Sequence, residues 1–70
     1  MIQEKVGHRI KELRHRLGIS QEELAARADI HRTYIASLEV GKRNVSIVTL
    51  EKVVAALEIS LNDFFAFEEK

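Results

Sequence analysis

Arg32, Thr33 and Ser37 stand at spacings of one, four and five within a short run, RTYIASL, whose inward apolar members are Ile35 and Leu38. On a helix Ile35 and Leu38 would face inward and leave Arg32, Thr33, Ala36 and Ser37 outward. Short or hydrogen-bonding groups in that row suit a surface that enters the major groove of DNA. Arg32 can bond bidentately to guanine O6 and N7, a contact worth about 1–3 kcal/mol of discrimination, and Thr33 offers a hydroxyl and a methyl. Ser37, one turn on, reaches an adjacent base or the backbone. Tyr34 has two readings, a hydroxyl on a phosphate or a ring that merely packs. Flanking groups supply anchors. Gln21 falls at a helix start, where free N–H groups and the helix dipole favour an anion. Lys42, Arg43 and Asn44 form a loop suited to backbone contacts; Arg43 can alternatively enter the minor groove, and Lys42 can be a solubilising charge only.

These side chains need a frame, and the stretch SQEELAARADIHRTYIASL supplies it. Ser20 is an N-cap with Glu23 at the capping-box position, so a helix starts at Gln21, and Ile19 with Leu24 can close a hydrophobic staple. Eleven residues later the frame recurs with His31 as cap, Ile30 and Ile35 as staple, and a helix from Arg32. Ala28, Asp29 and Ile30 are left as the turn. A helix-turn-helix needs a small residue fifth in the motif and apolar residues at fifteenth and eighteenth. Ala25, Ile35 and Leu38 occupy them. Asp29 stands at the ninth place, where the backbone is left-handed and Gly is usual; Asp tolerates that region.

The rest of the chain reads as helices nearly end to end. Val6, Ile10, Leu13 and Leu17 make one stripe of a first helix from about Gln3 to Leu17, stopped by Gly18. Lys5, Arg9, Lys11, His15 and Arg16 read as its solvated face. The third helix ends at Gly41. Ser46 caps a fourth, whose apolar face is Ile47, Leu50, Val53, Val54 and Leu57, and Ser60 caps a fifth. The expectation is a single all-α domain over residues 1–70, a compact five-helix fold with the helix-turn-helix formed by helices two and three.

Seventy residues with 46% hydrophobic content and no Cys or Pro give a small core without disulfides, burying only about 60% of the unfolded surface. A second copy is a natural further source of stability. Val48 lies off the main stripe of helix four, and Phe64, Phe65 and Phe67 crowd the C-terminal end: one or two of the phenylalanines must cap the core and the third is hard to bury in a single copy, so with Val48 they mark the expected dimer interface on helices four and five. The net charge is zero but uneven: residues 1–44 carry nine Lys or Arg against six Asp or Glu, and residues 45–70 two against five. No run approaches the roughly 20 apolar residues of a membrane span, so a cytoplasmic protein without a membrane partner is expected. His8, His15 and His31 are too scattered for a metal site, no cofactor is called for, and no nucleophile, base and oxyanion set of an enzyme assembles.

Over Val6 to Phe65 the chain resembles the lambda-repressor-like, XRE-type helix-turn-helix regulators. The matching pieces are GHRIKELRHRLGISQEELA, IASLEVGKR and VSIVTLEKVVAALEISLNDFF. His31 to Ile35 followed by Gly41 to Asn44 looks most like the controller proteins of restriction-modification systems. The resemblance implies a homodimer on a palindromic operator in double-stranded DNA, regulating its own promoter and that of the endonuclease. It implies that Arg32, Thr33 and Arg43 read or grip DNA, supported by Gln21, Tyr34, Ser37 and Asn44, and that Arg14 and Glu39 form an internal ion pair. If such a protein activates transcription, Glu22 is placed to touch RNA polymerase. Two other outcomes stay open: a phage-type or other XRE-type repressor, and an antitoxin-like module that holds a protein partner.

Overall fold

The computed structural model describes residues 1–68. Its elements are α1 (Ile2–Leu17), α2 (Gln21–Ala28), α3 (Arg32–Glu39), α4 (Ile47–Ala56) and α5 (Leu61–Phe64), the last running into a 3₁₀ turn, Phe65–Glu68. Each start after the first has a local cause. The Ser20, Ser46 and Ser60 hydroxyls accept from the N–H three residues on, at 3.0, 3.1 and 3.0 Å, satisfying donors that the helix itself leaves open. The return half of the expected box at Ser20 is replaced: the Glu23 carboxylate pairs with Arg27 at 2.8 Å.

The stops share one design. Gly18, Asp29, Gly41 and Glu58 all lie in the left-handed region, with φ of 71°, 58°, 76° and 63°. In each case that residue and the next donate back to the last turn of the helix. At Gly18 the bonds are Gly18 to His15 at 3.0 Å and Ile19 to Arg14 at 3.2 Å; at Asp29, Asp29 to Ala26 at 3.3 Å and Ile30 to Ala25 at 3.0 Å. The reversed backbone closes carbonyls that would otherwise be open. Because α3 itself ends at Glu39, Gly41 is the residue past its cap, not its last helical position.

The core gathers Val6, Ile10 and Leu13 of α1, Leu24, Ala25 and Ala28 of α2, Ile35 and Leu38 of α3, and Leu50, Val53, Val54, Leu57 and Phe64 beyond. Two stripe members leave it. Leu17, in the last turn of α1, is exposed, and Ile19 from the turn takes the buried place. Ile47 is 78% exposed: it shares the face of Leu50 but lies at the very start of α4, where none of the described elements covers it. Gly7 is buried in the middle of α1, and a Cβ there would overlap the Leu38 carbonyl oxygen and meet the Glu39 carbonyl carbon at 3.0 Å. The absent side chain therefore sets how closely α1 lies against the end of α3.

Arg9 is the other departure on α1. Rather than lying in solvent, it donates through Nε to the Phe64 carbonyl at 2.9 Å and through Nη2 to the Asp63 carbonyl at 2.8 Å. Both are carbonyls at the open C-terminal end of α5, where a cation is also favoured by the helix dipole. A four-residue helix is thus fastened to α1 from its far end.

Candidate nucleic-acid interface

The frame of the site is fixed from beneath by one buried cluster. Arg14 Nε and Nη2 donate to the two carboxylate oxygens of Glu39 at 2.7 and 3.0 Å, and Arg14 Nη1 donates to the Ile19 carbonyl at 2.9 Å. Gln21 Nε2 adds a bond to Glu39 Oε1 at 3.0 Å. A planar guanidinium matches a carboxylate in this two-bond geometry, which fixes direction as well as distance. The Glu39 carboxylate raises the Arg14 pKa above its ordinary value, outweighing burial, so the charge on Arg14 is permanent. The end of α1, the start of α2 and the end of α3 thereby meet on one carboxylate.

Above that cluster α3 presents Arg32 and Thr33 to solvent, with Ala36 and Ser37 half-exposed beside them. Arg32 is 3.6 Å from Glu22 on α2, both side chains being largely exposed. A surface pair of this kind contributes little and yields readily to a stronger acceptor. His31 caps the helix through its ring: Nδ1 accepts from the Thr33 N–H at 3.4 Å and lies 2.9 Å from Thr33 Oγ1. The Ser37 hydroxyl donates to the Thr33 carbonyl at 3.0 Å. Tyr34 is half-buried against the core, and the guanidinium of Arg43 sits over its ring, 4.8 Å from the centroid. The structure therefore brings Arg43 alongside α3 by a cation–π contact.

Asn44 is held from the far end of the sequence, its Oδ1 accepting from Gln3 Nε2 at 2.6 Å. Lys42 is exposed, its backbone N–H bonded to the Ser37 carbonyl at 3.1 Å. Gln3 and Arg9 were not legible as site supports, because their partners lie 41 and 54–55 residues away. The His31–Thr33 contact had a signal: the repeated cap frame puts an imidazole where the other caps carry a hydroxyl.

The expected dimer residues separate into two groups. Phe64 is wholly buried within its own chain, so it supports α5 from beneath and is no part of an exposed face. Phe67 is half-buried, packed on the core. Val48 and Phe65 are exposed, at 65% and 37%, and Ile47 and Leu61 join them. Phe65 meets Phe64 edge to face at 5.0 Å and lines a groove with Ile2, Val6, Val45 and Leu50. Among the described residues no group of three or more His, Cys, Asp or Glu could hold a metal ion, and no helix is long and apolar enough to cross a membrane.

Two capped helices crossing at a left-handed turn, with a hydrogen-bonding row on the second, define a helix-turn-helix DNA reader. Comparison with known proteins agrees. The helix-turn-helix family model matches residues 10–64. Control protein C.MunI of a Mycoplasma species is 48% identical over 67 residues, covering 94% of this chain and 90% of that protein. Among solved structures, the restriction-modification controller protein C.AhdI from Aeromonas hydrophila superposes with a TM-score of 0.87 at 41% identity, covering 90% of this chain and 91% of that one. The controller protein C.Esp1396I, solved as a tetramer in complex with its natural 35 base-pair operator, superposes with a TM-score of 0.91 at 37% identity, covering 96% and 88%. The chain belongs to the lambda-repressor-like helix-turn-helix family, and within it resembles the restriction-modification control proteins.

Proposed function

We propose that this protein is a sequence-specific transcriptional regulator that binds a palindromic operator as a homodimer, in the role of control protein to a restriction-modification system. The observation that carries this is the row Arg32, Thr33 and Ser37 along the exposed side of α3, on a frame fixed by Arg14, Glu39 and Gln21. Laid in the major groove, α3 presents Arg32 to base edges once Glu22 releases it. Lys42, the amide of Asn44 and the Tyr34 hydroxyl anchor phosphates; Arg43, parked on the Tyr34 ring, swings to a phosphate or the minor groove. Gln21 keeps its amide nitrogen on Glu39, so its contribution to an adjacent phosphate comes through the α2 N-terminus that it opens.

The second copy docks on the exposed apolar residues at the start of α4 and on α5, Ile47, Val48, Leu61 and Phe65. A water-facing Ile and Val in adjacent positions gain by being covered, at about 25 cal/mol per Å². Glu22, on the opposite side of the motif's turn from that face in sequence, is our candidate for a contact with RNA polymerase, and the working compartment is the cytoplasm.

Selection of bound sequences from random DNA at stated salt tests the whole reading. A palindromic motif with half-sites about one helical turn apart is expected. Arg32→Ala should relax preference at one base pair per half-site, and Gln21→Ala should weaken binding evenly across sequences. Sedimentation of Val48→Asp and Phe65→Ala should show monomer. Uniform weak binding by the parent would refute specific regulation, and unchanged dimerisation in both interface variants would refute the docking face.

A further inference from the structure

We infer that His31 is a specificity-positioning residue: its ring fixes the Thr33 hydroxyl as a hydrogen-bond acceptor, so that Thr33 selects a base carrying a major-groove amino group. This rests on the DNA-reading role of α3. A free threonine hydroxyl rotates, donating or accepting as its partner requires, and so discriminates weakly between bases. Here the rotation is constrained. The Thr33 backbone N–H, which can only donate, points at His31 Nδ1 at 3.4 Å. A proton on Nδ1 would face that N–H, so Nδ1 carries the lone pair and the ring proton sits on Nε2. Thr33 Oγ1 is 2.9 Å from the same nitrogen, so the hydroxyl makes the shorter bond, O–H to Nδ1, and the N–H shares that one lone pair at the longer distance.

The single proton of the Thr33 hydroxyl is thereby used within the protein, and the oxygen can meet a further partner only with its lone pairs. In the major groove the groups that answer an acceptor are the N6 amine of adenine and the N4 amine of cytosine; O4 of thymine and O6 of guanine oppose it lone pair to lone pair. Ser37 is disposed the same way, its proton directed to the Thr33 carbonyl at 3.0 Å. Arg32, by contrast, has only donors. The exposed row of α3 thus has a set polarity, one donor followed by acceptors.

Two measurements test this. Long-range nitrogen–proton NMR on the intact protein at neutral pH should show His31 with its proton on Nε2; a proton on Nδ1 would overturn the inference. Sequence selection on random DNA should give the parent, at one position per half-site, a preference for an amine-bearing base of about fivefold, the size of one hydrogen bond. Thr33→Val should abolish that preference. His31→Asp, which caps and only accepts, should keep it. His31→Ser, which caps but leaves the Thr33 hydroxyl free to donate, should flatten it at that position alone, with an unfolding midpoint no lower than the parent's. A motif that responds to Arg32→Ala but keeps its Thr33 position unchanged in His31→Ser overturns the inference and leaves the DNA reading standing. A parent that selects no sequence overturns both.

Discussion

Replacing Arg14 by Met removes one half of a buried pair. The Glu39 side chain is only 2% exposed and that of Arg14 10%, so the surviving carboxylate keeps the Gln21 amide and little else. Removing one partner of such a pair costs about 3–5 kcal/mol, chiefly because the other charge is left uncompensated. The Ile19 carbonyl also loses its donor, at about 1 kcal/mol. A domain of this length has roughly 4–10 kcal/mol in hand. Arg14→Met is therefore expected to lower the urea midpoint by half or more, followed by circular dichroism at one fixed protein concentration. Adding Glu39→Leu to the same chain removes the stranded charge, and the double variant should return to within about 1–2 kcal/mol of the parent. An Arg14→Met protein within 0.5 kcal/mol of the parent, on the order of an ordinary surface change, would refute the assignment of this pair as the anchor of the motif.

Other consequences are as direct. Gly7→Ala gains helix propensity of about 1 kcal/mol but sets a methyl on the backbone of α3, which cannot turn aside as a side chain can; a net loss of about 1–3 kcal/mol is expected by thermal unfolding, together with weaker operator binding. Gly18→Ala meets nothing within 4 Å, so its cost isolates the left-handed backbone, about 1–2 kcal/mol, with operator affinity unchanged once the protein is folded. Glu12 accepts from Arg9 and Arg16, each at 3.0 Å, and the Arg9 hydrogen bond holds its pKa below the ordinary carboxylate value against the opposing effect of burial. A group depressed in the folded state contributes stability above its unfolded pKa and loses it as pH falls through the folded one. Denaturant titrations from pH 7 to pH 3 should show a shallower acid loss for Glu12→Gln than for the parent.

The parts of this fold that were legible in the sequence are those whose cause lies within three or four residues. Ser20, His31, Ser46 and Ser60 each announce a helix start, because a cap acts on an N–H two or three positions on. Gly18 and Asp29 announce stops through their tolerance of positive φ; Glu58 does the same work with a side chain that gives no such signal. Apolar spacing named the inward face of each helix but not where its covering ends, which is why Leu17 and Ile47 emerge on the surface. Side chains whose partners are distant were opaque. Arg9 clamps the end of α5, Gln3 holds Asn44, and Gly7 yields space to Leu38, each across more than 30 residues. The Arg14–Glu39 pair was accessible by family resemblance, not by spacing.

The short connections repeat one formula: a left-handed residue, an isoleucine and a capping side chain, as Gly18-Ile19-Ser20, Asp29-Ile30-His31 and Glu58-Ile59-Ser60. Each isoleucine serves both the helix that ends and the helix that begins, so a three-residue turn settles two termini at once. Within that formula the cap is serine before α2 and α5, and outside it serine also caps α4. Only α3 has histidine, a residue outside the group that caps best. Serine there would start the helix as well or better, so the stability of α3 does not account for the imidazole. Departures from a local rule concentrate where function overrides it, and this one touches the hydroxyl of Thr33, an exposed residue of the helix assigned to the groove. The choice of His31 is explained by what it does to the reading surface, which a capping serine would leave undetermined.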